Sequence, residues 1–165
     1  MNRGPIAERE GKGIFLTSDP LIRPSVLMIA RADLDTMVQH CVERLPNEAC
    51  GILAGSGGRV EQVYRMTNAR PGPASYEMEP AEQFRVLKDI RQSGRSLVGI
   101  YHSHPGSPAY PSGIDVEKAY WPGTLFPNYP GAVQVIVSLA DLQHPAVRAY
   151  SLDEGAVAEV ALKVE

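Results

Sequence analysis

The sequence predicts a single α/β domain in which a mixed sheet is flanked by helices. Three observations carry this. The chain has 165 residues, the size of one domain with one core; short apolar runs of strand length alternate along it with segments of helical period; and no repeat, low-complexity tract or linker divides it. Hydrophobic residues make up 44% of the chain and charged residues 21%, proportions that exclude wholesale disorder, a collagen-like rod and a charge-driven coiled coil. The formal net charge of -3 supplies no basic field for phosphate backbones, so nucleic acid is not expected as a partner. No apolar stretch approaches the length of a membrane span, and Ile14-Phe15-Leu16 is too short for a secretory signal, so a cytoplasmic protein without a membrane partner is expected.

Residues 1–24 mix Gly, Pro and charges without period and read as a loose lead-in, leaving 25–165 as the domain. Ser25 to Ala30 is a strand candidate. Leu34, Met37, Val38, Cys41, Val42 and Leu45 recur at helical spacing and line one face of a helix that Pro46 stops. Ala49 to Ala54, the turn Gly55-Ser56-Gly57-Gly58 and Val60 to Met66 read as a hairpin; with no Lys-Ser or Lys-Thr after the glycines, a phosphate loop is the weaker reading. Thr67 to Ser75 is a surface loop, and Glu79-Pro80 opens a second helix whose apolar stripe is Ala81, Phe84, Leu87 and Ile90, ending at Gly94. Leu97 to His102 and Ala132 to Leu139 are buried strands, Ile114 to Tyr120 a short helix between them, and Ala146 to Leu152 and Val157 to Val164 two closing strands. The Pro- and Gly-rich loop Trp121 to Gly131 is a candidate wall for a substrate tail.

Chemistry concentrates at His102-Ser103-His104. Alternate residues of a strand point to one side, so two imidazoles can meet at one point, while Ser103 faces the other way as a packing or support residue. Ser112-Gly113-Ile114-Asp115 opens a helix, and a carboxylate in its first turn can return as a third ligand; two imidazoles, a carboxylate and an open position describe a catalytic zinc site. The plainer alternatives are a chance H-x-H pair and an ordinary capping box, the latter compatible with a ligand role. Cys41 and Cys50 are too few for a disulfide framework and are expected as free buried thiols; a Cys-His dyad at Cys50 is a rival without a local nucleophile signature. His40 reads as a surface residue of the first helix and His144 as a loop residue.

The run HSHPGSPAYPSGID, His102 to Asp115, resembles the signature of the JAMM (MPN+) metallopeptidases: H-x-H, seven residues, Ser, two residues, Asp. SYEMEPAEQF before the second helix and AYWPGTLFPNYPGAVQVIVSL after the motif look like the small bacterial members that work beside ubiquitin-like sulfur carriers. The resemblance implies a three-layer JAMM/MPN-like (cytidine-deaminase-like) fold. It further implies one Zn2+ per chain on His102, His104 and Asp115, Glu48 in PNEACGIL as general base and then acid, and Ser112 as a stabiliser of the oxyanion. For the base, Glu43, Glu61, Glu77 and Glu79 are also available. The implied reaction is hydrolysis of a peptide or isopeptide bond at the C-terminal Gly-Gly tail of a ubiquitin-like or sulfur-carrier protein, a tail that can lie along a sheet edge. Two rivals are a catalytically silent MPN-type interaction module and a RadC-like role in DNA metabolism.

Overall fold

The computed structural model describes residues 23–165, so the lead-in expected over 1–24 lies, apart from Arg23 and Pro24, outside the described residues. Along the chain the elements are β1 (Val26–Ile29), α1 (Arg31–Glu43), β2 (Cys50–Ser56), β3 (Arg59–Met66), α2 (Pro80–Gln92), β4 (Ser96–His104), α3 (Gly113–Lys118), β5 (Val133–Ser138), β6 (Ala146–Asp153) and β7 (Ala156–Val164). Each corresponds to an expected segment. β4 extends past its expected end to include both His102 and His104.

The sheet is mixed, as expected: β2 pairs antiparallel with β3 and β4, β4 parallel with β5, and β5, β6 and β7 follow antiparallel. It does not stay open. β1 lies parallel to β7, from Val26 opposite Ala161 to Ile29 opposite Val164, and touches β3 at Met28 opposite Arg59, which closes the strands into a barrel. The closure rests on the single Met28–Arg59 bridge, so residues 60–66 of β3 and the end of β4 beyond His102 keep a neighbouring strand on one side only.

Helices cover both faces. Leu34, Met37 and Cys41 of α1 bury against Leu27, Leu53, Tyr101 and Val135 in the larger core, and Ile90 of α2 buries against Cys50, Ile52, Met66 and Ile100 on the other face. The period located both helices, yet three members of the expected stripes face water: Val42 is 43% and Phe84 71% exposed, and Ala81 is exposed too. In α2 the contact is made by Val86, Leu87 and Ile90 instead. Gly51 stands opposite Tyr101 across the β2–β4 pair, and a Cβ there would fall 2.0 Å from the Tyr101 ring, so only glycine lets that ring lie over β2. Gly57 and Gly58 adopt φ of 56° and 78°, the left-handed conformation of the tight β2–β3 turn. No helix among the described residues is long and apolar enough to cross a membrane.

Candidate metal centre

The site forms where β4 outruns its antiparallel partner. β2 begins at Cys50 opposite His102, so His104 is paired only on the β5 side, opposite Ser138. Both imidazoles point to the face covered by α3. Their Nε2 atoms stand 3.1 Å apart, and Oδ2 of Asp115 lies 3.0 Å from that of His104 and 3.2 Å from that of His102. The triangle is shielded from solvent, with His102 1% and His104 4% exposed.

Asp115 reaches this point because α3 starts where it does. Ser112 caps the helix, its Oγ accepting from the Asp115 amide at 3.1 Å, while its own amide donates to Asp115 Oδ2 at 2.8 Å. The capping box and the convergence on the histidines coexist, as the sequence allowed. Burial works against the Asp115 charge, but hydrogen bonds from His102 and His104, with the Ser112 amide, hold its carboxyl well below the usual carboxylate range.

The arrangement fits a cation. His104 Nδ1 is 2.8 Å from the Pro108 carbonyl, which can only accept, so Nδ1 carries a proton, and whenever the ring is neutral it is Nε2 that presents the lone pair. Two imidazole nitrogens and a carboxylate oxygen about 3 Å apart, all electron-rich, are mutually repulsive without a proton or cation among them. Two nitrogens and one oxygen suit zinc better than the all-oxygen shells of calcium or magnesium. Two buried polar atoms around this point have no hydrogen-bond partner among the described residues: Nδ1 of His102 and Oε2 of Glu48.

Glu48 lies just before β2 and is 3% exposed. Burial, then repulsion from Asp115, pushes its carboxyl up to about 7. The other carboxylates considered for the base are engaged on the surface. Glu43 pairs with Arg65, Glu61 lies 3.0 Å from Arg95, Glu77 lies 2.9 Å from Arg70, and Glu79 caps α2 through the amides of Ala81 and Glu82. Cys50 is buried and its thiol is pushed up to about 12 by that burial, the opposite of an activated nucleophile; Cys41 behaves likewise. His40 corrects the sequence reading. It is 1% exposed, and its Nδ1 lies 2.7 Å from the Tyr101 hydroxyl, because α1 turns this position inward beside Cys41. His144 is an exposed loop residue paired with Asp141.

Two contributors escaped the sequence. Tyr76 stacks on His102 with ring centroids 5.0 Å apart and planes 29° from parallel. Asn68 binds the Glu48 carbonyl through Nδ2 at 3.0 Å. Both come from the 67–79 loop, which has no period, and the resemblance of SYEMEPAEQF gave Tyr76 no role. Between Ser75-Tyr76 and the Ile114-Lys118 face of α3 lies a cavity of about 40 Å³, floored by Ile100 and reaching His102 and Asp115. Tyr129 of the 121–131 loop also lines it, while Trp121 and Phe126 of that loop are exposed.

Residues 30–153 match the family described as prokaryotic homologs of the JAB domain. The chain is 38% identical over 141 residues to the CysO-cysteine peptidase of Mycobacterium tuberculosis, an alignment covering 84% of this chain and 91% of that protein. It is 35% identical over 140 residues to the probable TtuB-protein conjugate cleaving protease of Thermus thermophilus, covering 84% and 83%. Among solved structures, the solution structure of a Desulfitobacterium hafniense protein superposes with a TM-score of 0.72 at 32% identity, covering 84% of this chain and 92% of that one.

Proposed function

The chain belongs to the family of prokaryotic homologs of the JAB domain, and on that premise we propose that it is a zinc peptidase acting on carrier-protein tails. It cleaves the peptide or isopeptide bond that follows the C-terminal Gly-Gly tail of a ubiquitin-like or sulfur-carrier protein, in the cytoplasm. The observation that carries this is the meeting of His102 Nε2, His104 Nε2 and Asp115 Oδ2, with the Glu48 carboxyl pushed up to about 7 by its burial and then by Asp115, which is near enough to repel it. Relatives matched over nearly their whole length are named for cleaving such carriers from a cysteine or from conjugates, which supports the substrate class.

Each residue has a physical task. His102, His104 and Asp115 would hold the zinc, which supplies polarisation of the scissile carbonyl and acidification of the attacking water. The Pro108 carbonyl keeps His104 in the tautomer that offers Nε2, and Tyr76 holds the His102 ring by stacking on it. Glu48 takes the proton of the attacking water and returns it to the departing nitrogen; a carboxyl near 7 can do both at neutral pH. Ser112 accepts from the Asp115 amide, so its hydroxyl proton is directed elsewhere and donates to charge developing on the carbonyl oxygen. The cleft between Tyr76 and α3, which reaches His102 and Asp115, is where such a tail would lie.

The test is metal content by elemental mass spectrometry on the wild type and His104→Ala, together with hydrolysis of a fusion carrying a C-terminal Gly-Gly-X tail. About one zinc per chain, lost in the variant together with turnover, is expected. A full zinc complement in His104→Ala would show the ligand set to be misassigned, and an inert, metal-free wild type supplied with zinc would remove the peptidase reading.

A further inference from the structure

We propose that Asn68 and Ser103 are positioning residues that hold the peptide unit between Glu48 and Ala49 from its two ends and thereby aim the Glu48 carboxylate; the inference rests on the base role given to Glu48. That peptide lies one residue ahead of β2, where backbone pairing with β4 ends. Two side chains take over. Its carbonyl accepts from Asn68 Nδ2 at 3.0 Å, and its N–H donates to Ser103 Oγ at 2.8 Å. A peptide unit is planar, so fixing both its ends fixes its rotation, and with it the ψ of Glu48 and the direction in which that side chain leaves the backbone.

The Ser103 contact is sealed from water, and the Asn68 contact is partly buried. Ala49 is 1% and Ser103 0% exposed, so each buried group needs a protein partner. The orientation of the Asn68 amide is settled by its neighbours. Oδ1 accepts from the amides of Arg70 and Glu77, both at 3.1 Å, which leaves Nδ2 as the group facing the Glu48 carbonyl. Asn68 thus ties the base to the loop that carries Tyr76. Ser103 lies between the two histidines, and its own amide also donates to the Ala49 carbonyl at 3.0 Å, tying the base to the strand that carries them. At this peptide the base, the His102–His104 strand and the Tyr76 loop are joined by direct hydrogen bonds. The Glu48 amide, donating to the Gly72 carbonyl at 2.7 Å, anchors the preceding unit to the same loop.

Ser103→Ala removes the acceptor without adding charge, and Ser103→Thr restores an Oγ in a residue suited to a strand. Asn68→Asp keeps the acceptor for Arg70 and Glu77 but sets an oxygen against the Glu48 carbonyl. Ser103→Ala and Asn68→Asp should each lower kcat about 10- to 100-fold with KM and zinc stoichiometry unchanged, the scale of a misplaced reacting group. Ser103→Thr should stay within a few-fold of wild type, and exchange of the Ala49 amide with deuterium should rise about 10-fold or more in Ser103→Ala. The double variant should be little worse than the worse single, since both release one peptide. Val160→Ala, in the core far along the chain, serves as a control for lost stability. Wild-type kcat in Ser103→Ala and Asn68→Asp while Glu48→Gln is inert would overturn this inference alone. So would a loss of kcat in Val160→Ala that matches theirs at equal stability, or unchanged Ala49 exchange. Absence of turnover in the wild type would overturn the proposed function and this inference together.

Discussion

The two faces of β4 are buried almost equally and used differently. Toward α1 the strand presents Tyr101 and Ser103, both 0% exposed; toward α3 it presents His102 and His104, at 1% and 4%. On the α1 face the polar atoms are paired, Tyr101 with His40 and Ser103 with the Ala49 amide. On the α3 face three ligand atoms crowd at about 3 Å, and His102 Nδ1 and Glu48 Oε2 are left without partners among the described residues. Burial does not separate the faces. Satisfaction of polar groups does: a polar group placed for stability is paired inside the protein, whereas one placed for chemistry is left available to what the protein binds.

The sharpest way to break this contrast is Glu48→Gln, which keeps the shape and removes the proton acceptor. Turnover of a Gly-Gly-X substrate should fall by roughly 10²- to 10⁴-fold, with zinc content intact and unfolding free energy within about 1 kcal/mol of wild type. Retained turnover would pass the base role to another group.

For the Tyr101–His40 pair on the α1 face the expected effect is on stability. His40 is neutral in the fold: burial first, then the charges of Arg65 and Arg44, lowers it from 6.5 to about 4. The unfolded chain therefore binds a proton at this residue between these values and the folded chain does not. Stability from this group is complete above about pH 6.5 and declines as the pH falls toward 4, by on the order of 3 kcal/mol in all. Denaturant unfolding of the wild type and His40→Gln across this window should show the excess acid sensitivity of the wild type; identical slopes would show that His40 is not held neutral. A smaller effect is expected from Tyr101→Phe, which strands His40 Nδ1 in the core at a cost of about 1–3 kcal/mol by the same measurement.

The candidate metal centre was legible because its parts are local. A strand's period of two places His102 and His104 on one side, and Ser112 with Asp115 spans one helical turn, so spacing permits the convergence and the JAMM-like signature singles it out. The other features are set by contacts between segments far apart in sequence. Closure of the barrel depends on four residues of β1 meeting β7. The stacking of Tyr76 and the grip of Asn68 come from a loop without a period. His40 was placed on the surface because the apolar period of α1 passes over a histidine, although the same helical face takes it inward to meet Tyr101. Likewise Phe84 follows the period of α2 but not the row that meets the sheet.

Ser112 joins the two kinds of polarity in one side chain and carries the smallest expected effect. Its Oγ accepts from the Asp115 amide as a helix cap, the satisfied and structural use. On the proposed reading its hydroxyl proton goes to the carbonyl oxygen of the substrate, the unsatisfied and chemical use. Ser112→Ala removes both, so stability should fall by about 1 kcal/mol and kcat by about 10-fold or more. Ser112→Gly should recover most of the capping loss and none of the rate, because glycine is tolerated at an N-cap but offers no hydroxyl. Recovery of both in Ser112→Gly would mean that the serine acts on turnover only through the helix that delivers Asp115. Recovery of stability alone would show that capping and catalysis are separate demands met by one oxygen, its lone pair directed to the helix and its proton to the substrate.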